Sequence, residues 1–382
     1  MGKRELLLAV VFLVLGVVVY QVTAPAADPN RPAWSVGGII ERMRREIRGN
    51  QAHATANWAR TIPAPDSVRE VRLLTGSISV TVIGEDRSDI QASMDVASRA
   101  YDTAEAERTA KESHVKVDDA GSVITLTTWF PEAGRQTATL TVRVPSRLEV
   151  RAEKNGALDI SNVAALVVSG RGQTTAKNIA GAVHAQQRGG TITLTDIGSL
   201  KLSSFGGADA RLQNIRGDAS LSLQGGDVYG AAIEGAIEIE ARNSEIKLEK
   251  LEKARRPIRI NSGGGEVAVL GVGTELRIDG RETDIRVEQA APAMVSIYND
   301  GDETVELAVP PGGFKIDAAA IDGRITVDEE LEKTGVKVAS SMTEGGETGR
   351  GRDEYRVQAS VRGGGPMITI RARRGDIVLR SR

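Results

Sequence analysis

The sequence predicts an all-β protein, a parallel β-helix or β-solenoid with a coil of roughly eighteen residues, standing behind an N-terminal hydrophobic helix. Three observations lead there. A small polar or amide residue precedes an aliphatic one at Asn162-Val163, Asn178-Ile179, Asp196-Ile197, Asn214-Ile215, Ala232-Ile233 and Lys250-Leu251, so that after a first step of sixteen the spacing settles at eighteen. Glycine is in excess, 42 of 382 residues, or about 11% against a usual ~7%. Aromatics are only 3% of the chain although apolar residues are 40%, which suits a narrow interior filled by Val, Ile, Leu and Ala.

Residues 1–27 read as a signal peptide or a membrane anchor. Lys3 and Arg4 precede the uncharged run Leu6 to Val19, and Ala24-Pro25-Ala26-Ala27 offers a cleavage site of small residues. That run lies between a signal-peptide core and a full bilayer span. The basic residues favour an N-in orientation, which puts Asp28 onward on the extracytoplasmic side, in the periplasm or at the cell surface. Residues 28–65 read as a linker with a short amphipathic helix, because Val36, Ile39, Ile40, Met43 and Ile47 recur at helical spacing.

Residues 66–150 form a β region with a helical insertion at the Ala/Glu-rich stretch Thr103 to Lys111, and residues 151–290 hold the solenoid coils. Within those coils Gly189-Gly190, Gly206-Gly207 and Gly225-Gly226 recur at one offset, each followed by an alternating pair such as Ile192 and Leu194 or Ala210 and Leu212. Alternation over a few residues is the mark of a half-buried strand. A unit of this length cannot bury its own apolar side, and stacking on the next unit does so. The glycine pairs are assigned to turns that need positive φ. A right-handed winding is expected, since parallel crossovers take that hand. Residues 291–382 resume strand character around a polar loop at 329–354.

Leu307-Ala308-Val309-Pro310-Pro311-Gly312, Ile321 to Asp328, Gly363 to Ile370 and Arg374-Gly375-Asp376-Ile377, with an opening hairpin at Val71 to Val82, resemble the strands and turns of a bacterial putative-adhesin domain family, β-solenoids behind a signal or anchor segment. The resemblance implies a fold and no catalytic residues.

Composition excludes several functions. There is no cysteine, so disulfides, thiolate nucleophiles and Cys-bound metals are ruled out. Lys plus Arg is 49 against 51 Asp plus Glu, which argues against a nucleic-acid partner. His53, His114 and His184 are scattered. No catalytic, cofactor or metal residue is assigned.

Several motifs invite a functional reading and are better explained by structure. Arg216-Gly217-Asp218 and Arg374-Gly375-Asp376 sit where turns are expected, and Gly363-Gly364-Gly365 lacks the lysine and helix of a phosphate cradle. The pairs Asp196 with Asp209 and Asp218 with Asp227 are the available carboxylates for glycan hydrolysis, but corner carboxylates are usually solvated. Thr191-Ile192-Thr193-Leu194-Thr195 is an isolated Thr-x-Thr run. The basic cluster Lys250, Lys253, Arg255, Arg256 and Arg259 reads first as a bulge lengthening one coil and second as a contact for anionic glycan or lipid head groups.

The functional expectation is therefore a non-enzymatic interaction or scaffold module of the cell envelope. It would be held to the membrane through the N-terminal helix and would meet a glycan or an envelope protein. The competing readings are a polysaccharide lyase or hydrolase on the same fold, and a self-assembling filament.

Overall fold

The structure, a computed structural model, describes residues 16, 52–132, 134–343 and 352–382. The apolar run 6–19 apart from Gly16, the amphipathic stretch 35–48 and residues 344–351 of the expected polar loop lie outside the described residues. Among the described residues no helix is long and apolar enough to cross a membrane. They are all-β: 26 strands and two short helices, Thr103–Glu112 and Glu329–Lys333.

The chain divides into two compact units. The smaller takes in residues up to Trp58 with Asp95–His114 and Phe130–Thr137. Its helix Thr103–Glu112 starts at Asp102, whose carboxylate accepts from Glu105 N at 2.8 Å. Such a cap satisfies one of the backbone donors that a helix start leaves open. The helix buries Ala106, Thr109 and Ala110, and Thr109 Oγ1 lies 2.6 Å from Ser98 Oγ.

The larger unit, Ala59–Met94, Val115–Trp129 and Ala138–Arg382, is built on two parallel ladders between which the chain alternates. In the first, Val150, Leu166, Val183, Leu200, Ala219, Ile237, Ile258, Leu276 and Val295 occupy one buried row of successive rungs. In the second, Leu158, Thr174, Ile192, Ala210, Val228, Ile246, Val267, Ile285 and Val305 do the same. Successive strand residues point to opposite faces, so the period-two pattern of each segment buries its branched aliphatics and turns the polar residues out.

The register carries the sequence period. Ile192 pairs with Ala210 and Ala210 with Val228, so each rung advances the chain by one repeat. Across the basic cluster the step grows. Ile237 pairs with Ile258, three positions beyond one repeat, because 250–257 form a turn held by Arg255 N on Glu234 O at 3.0 Å. At both ends the rungs leave chain order. Strand Glu70–Gly76 lies between Val123–Trp129 and Glu149–Lys154. Strand Met367–Arg374 lies between Val295–Gly301 and Phe314–Ile321.

Two expectations need correction. The linker expected to run to residue 65 gives way at Ala52 to a strand, Ala52–Pro63. Its alternation is one of alanines with His53, Thr55 and Asn57, too weak in hydropathy to read as a strand. Residues 329–354, read as a polar loop, contain the helix Glu329–Lys333 and strand Val338–Thr343, and strand Arg352–Val361 begins within them. The last two pair antiparallel, and the second also pairs antiparallel with Phe314–Ile321. Leu331, Val336 and Val357 supply enough burial to order a segment whose composition is otherwise polar.

Candidate functional site

The functional surface is set by the corners that turn each strand into the next. One corner is the dipeptide column read from the sequence. Val163, Ile179, Ile197, Ile215, Ile233 and Leu251 are all buried, and the residue before each is left-handed: Asn162 (φ 58°), Asn178 (56°), Asp196 (57°), Asn214 (56°), Ala232 (56°) and Lys250 (58°). Asn and Asp tolerate this region better than other residues with a Cβ. Their side chains also join along the column: Asn178 Nδ2 donates to Asn162 Oδ1 at 3.1 Å and Asn214 Nδ2 to Asp196 Oδ1 at 2.9 Å.

The other corner holds the glycine pairs. Their φ angles are 73° and 85° at Gly189 and Gly190, 85° and 76° at Gly206 and Gly207, and 75° and 83° at Gly225 and Gly226. At Gly190 and Gly226 a Cβ would also strike the backbone of Gly172 and Ala208, whereas at Gly206 and Gly207 it would meet nothing within 4 Å. Asn243 (52°) and Glu282 (52°) continue this corner without glycine.

Beneath it an inward column carries buried polar residues that the sequence pattern concealed, Lys154, Gln187, Ser204, Ser262 and Asn299, interrupted by Gly170, Leu223, Ala241 and Gly280. At a bend some carbonyls leave the ladder, and a buried carbonyl needs a donor. Lys154 Nζ donates to Gly156 O, Arg171 O and Gln173 O at 3.0, 2.9 and 3.0 Å, using all three of its protons. Burial pushes its pKa down to about 8. Gln187 donates to Gly172 O and to Gly189 O, and Asn299 to Thr283 O. The signal was present as polar residues at inward positions, at odds with the aliphatic alternation around them.

Outside the same corner the first ladder carries two clefts along one outward row, together a furrow interrupted at Ser203. Its floor is the outward row Leu74, Glu153, Ser169, Gln186, Ser203, Ser222, Glu240, Asn261, Asp279 and Tyr298 on successive rungs. The furrow widens to about 850 Å³ beside Gln186, Arg188 and Phe205, and to about 520 Å³ beside Asn261, Arg281 and Tyr298. Phe205 and Tyr298 are 49% and 41% exposed, unusual positions in a chain with so few aromatics. Thr75 Oγ1, buried at the first widening, has no hydrogen-bond partner. Small, amide and acidic side chains on the floor, with Phe205 beside its middle and Tyr298 at its far end, can bind a polymer by hydrogen bonds and ring stacking.

The other motifs serve the architecture. Asp209 Oδ1 accepts from Asp227 N at 3.2 Å and Asp227 Oδ1 from Glu245 N at 3.1 Å, one rung further on. Asp218 accepts from Ala236 N at 2.9 Å and pairs with Arg256 at 3.1 Å. In the second Arg-Gly-Asp copy Asp376 accepts from Arg324 N at 2.8 Å, and Arg374 (φ 70°) pairs with Asp300 and Asp302 at 3.6 and 3.5 Å. These carboxylates cap backbone donors rather than face each other across a groove. Gly363 and Gly364 form a turn at φ 85° and 89°. His184 lies with Lys201, Arg216, Arg255 and Arg256 around a second cleft of about 580 Å³. Among the described residues no group of three or more His, Asp or Glu could hold a metal ion.

No family model matches the chain, and no curated protein matches it. Among solved structures it is similar to a putative cell adhesion protein from Clostridium sporogenes, at 9% identity and TM-score 0.24, over 86% of this chain and 100% of that one. It is also similar to a putative adhesin from Parabacteroides distasonis, at 12% identity and TM-score 0.37, over 66% and 97% of the two chains. A putative lipid binding protein from the same species gives 14% identity and TM-score 0.33, over 67% and 94%. At those identities and scores the likeness assigns neither an activity nor a ligand to this chain.

Proposed function

We propose that the protein is a non-enzymatic recognition module of the bacterial cell envelope. In this reading the two ladders wind as a right-handed parallel β-helix. The N-terminal segment exports the chain or anchors it in the membrane, and the ladders stand on the extracytoplasmic side. The observation that carries the reading is the furrow, whose outward row places a hydrogen-bonding side chain on every rung from Glu153 to Tyr298. Rungs of a sheet stand ~4.8 Å apart, so such a row matches an extended partner with a short repeat better than a compact one. The absence of catalysis is supported by the acidic pairs, whose oxygens are engaged in capping the next rung.

The test is to express the full chain in a bacterial host, fractionate the cells, and treat intact cells with protease. Recovery in the membrane or exported fraction with ladder fragments released from outside is the expected result. The purified chain is then incubated with envelope polysaccharides. Retention of polymer without shortening it agrees with the reading. A cytoplasmic chain, or the appearance of new reducing ends or unsaturated products, overturns it.

A further inference from the structure

Along the outer wall of the furrow one row of positions, just beyond the floor row, carries Arg171, Arg188, Arg242 and Arg281. All four are exposed, and none has an ion-pair partner among the described residues. Arginines on neighbouring rows behave differently: Arg72 and Arg151 pair with Glu70 at 2.9 and 3.2 Å, and Arg277 pairs with Asp279 at 2.8 Å. Arg171 and Arg188 occupy adjacent rungs, with Phe205 on the next. Arg242 follows three rungs after Arg188, and Arg281 two rungs after that. At ~4.8 Å per rung the four guanidinium groups span roughly 29 Å.

We infer that the furrow binds an acidic polysaccharide, a chain of pyranose rings bearing carboxylate or sulfate groups, with these arginines reading the acidic groups. The inference rests on the recognition function proposed above and names its ligand class. Guanidinium is the side chain suited to paired hydrogen bonds with an oxyanion. A pyranose in an extended chain advances by roughly one rung, so acidic groups on successive or alternate sugars fall into step with the row. Phe205 offers a ring face beside Arg188 for stacking against a sugar, which a bare polyanion does not use. With net charge -2 the whole protein has no basic field, so the attraction is local to the first widening, at Arg171 and Arg188, whereas Glu240, Asp279 and Asp300 offset Arg242 and Arg281 at the second. That favours a polymer recognised by shape and charge together over nucleic acid.

The experiment measures binding of the full chain, in detergent, to oligogalacturonates. Comparison ligands are the same oligomers with their carboxyls methyl-esterified, a neutral β-glucan and a single-stranded oligonucleotide. The expected result is binding to the free acid that weakens as salt rises, with at least a tenfold loss for the methyl ester. The double variant R171Q/R188Q should lose about tenfold or more, since each removes a hydrogen bond to a charged group. F205A should weaken binding at high salt, where stacking persists. R286Q, on the outer face of the second ladder, should bind as the unchanged chain does. Equal binding of acid and ester, equal loss in R286Q and R171Q/R188Q, preference for the oligonucleotide, or no binding to the acid each overturns the inference. Binding of the neutral glucan alone overturns it while leaving the recognition function standing, whereas cleavage of any of these polymers overturns that function.

Discussion

Asn214 stands one repeat after Asp196, and its side-chain amide donates to the Asp196 carboxylate at 2.9 Å while both residues hold left-handed backbones. The bond ties neighbouring corners at the point where the chain bends most sharply. Ala232 takes the next place in this column at φ 56° with no such bond. Replacing it with Asn should stabilise the protein by about 1 kcal/mol, and Asn214→Ala should cost about 1–2 kcal/mol. Urea denaturation of the three chains measures both, and a destabilised Ala232→Asn would refute the account of this corner.

Two glycines of the other corner separate conformation from space. Gly206→Ala meets only the cost of positive φ and should lose about 1 kcal/mol. Gly226→Ala also drives a Cβ onto the Ala208 backbone and should lose roughly 3 kcal/mol or more. Equal midpoints for the two variants would show that close approach does not matter here.

Lys154 predicts a pH dependence with a definite sign. Its pKa is pushed down to about 8 in the folded protein from an ordinary 10.5. Between those values the unfolded chain binds more protons than the folded one. Stability therefore rises with pH across this window, and the penalty of burying the charge is fully present below pH 8. The stability difference between the natural chain and Lys154→Met should move toward the natural chain by up to about 3 kcal/mol from pH 8 to 10.5. A difference that stays flat across that range would mean the ammonium is held by its three carbonyls at no net desolvation cost.

The corner carboxylates should behave as caps. Asp227→Ala removes the acceptor for Glu245 N and should cost about 1 kcal/mol, while Asp227→Asn keeps a carbonyl oxygen there and should cost less than half as much. If both variants unfold at the same denaturant concentration, the carboxylate is not acting through that hydrogen bond.

Much of this was legible because the repeat is written in residues with narrow conformational roles. The interval between Ile197, Ile215 and Ile233 is the register of the second ladder, since pairing neighbours in a parallel stack must share a phase. The lengthened turn at 250–257 was legible from its charged cluster of Lys250, Lys253, Arg255 and Arg256. The left-handed role of Asn162, Asn178 and Asn214 was not, because positive φ was assigned to glycine alone. Lys154 was hidden because a lone lysine in a strand reads as exposed, and only its position in the inward column shows otherwise. The furrow arises from pairing among ten distant segments, so no local pattern announces Arg171 and Arg188 as neighbours. Strand Ala52–Pro63 was missed because alanine alternation carries little hydropathic contrast.

The interleaved final rung has a mechanical consequence. Strands Met367–Arg374 and Ile377–Ser381 are each flanked on both sides, by Val295–Gly301 and Phe314–Ile321 and by Val305–Val309 and Ile325–Val327. A strand laid on the outside of a sheet peels one bond at a time under load. Here removing strand Ile377–Ser381 must break hydrogen bonds on both of its sides together, so the pair of strands acts as a latch. On the proposed function, a module that grips a polymer would bear tension, and strands clamped on both sides would carry that load without peeling away.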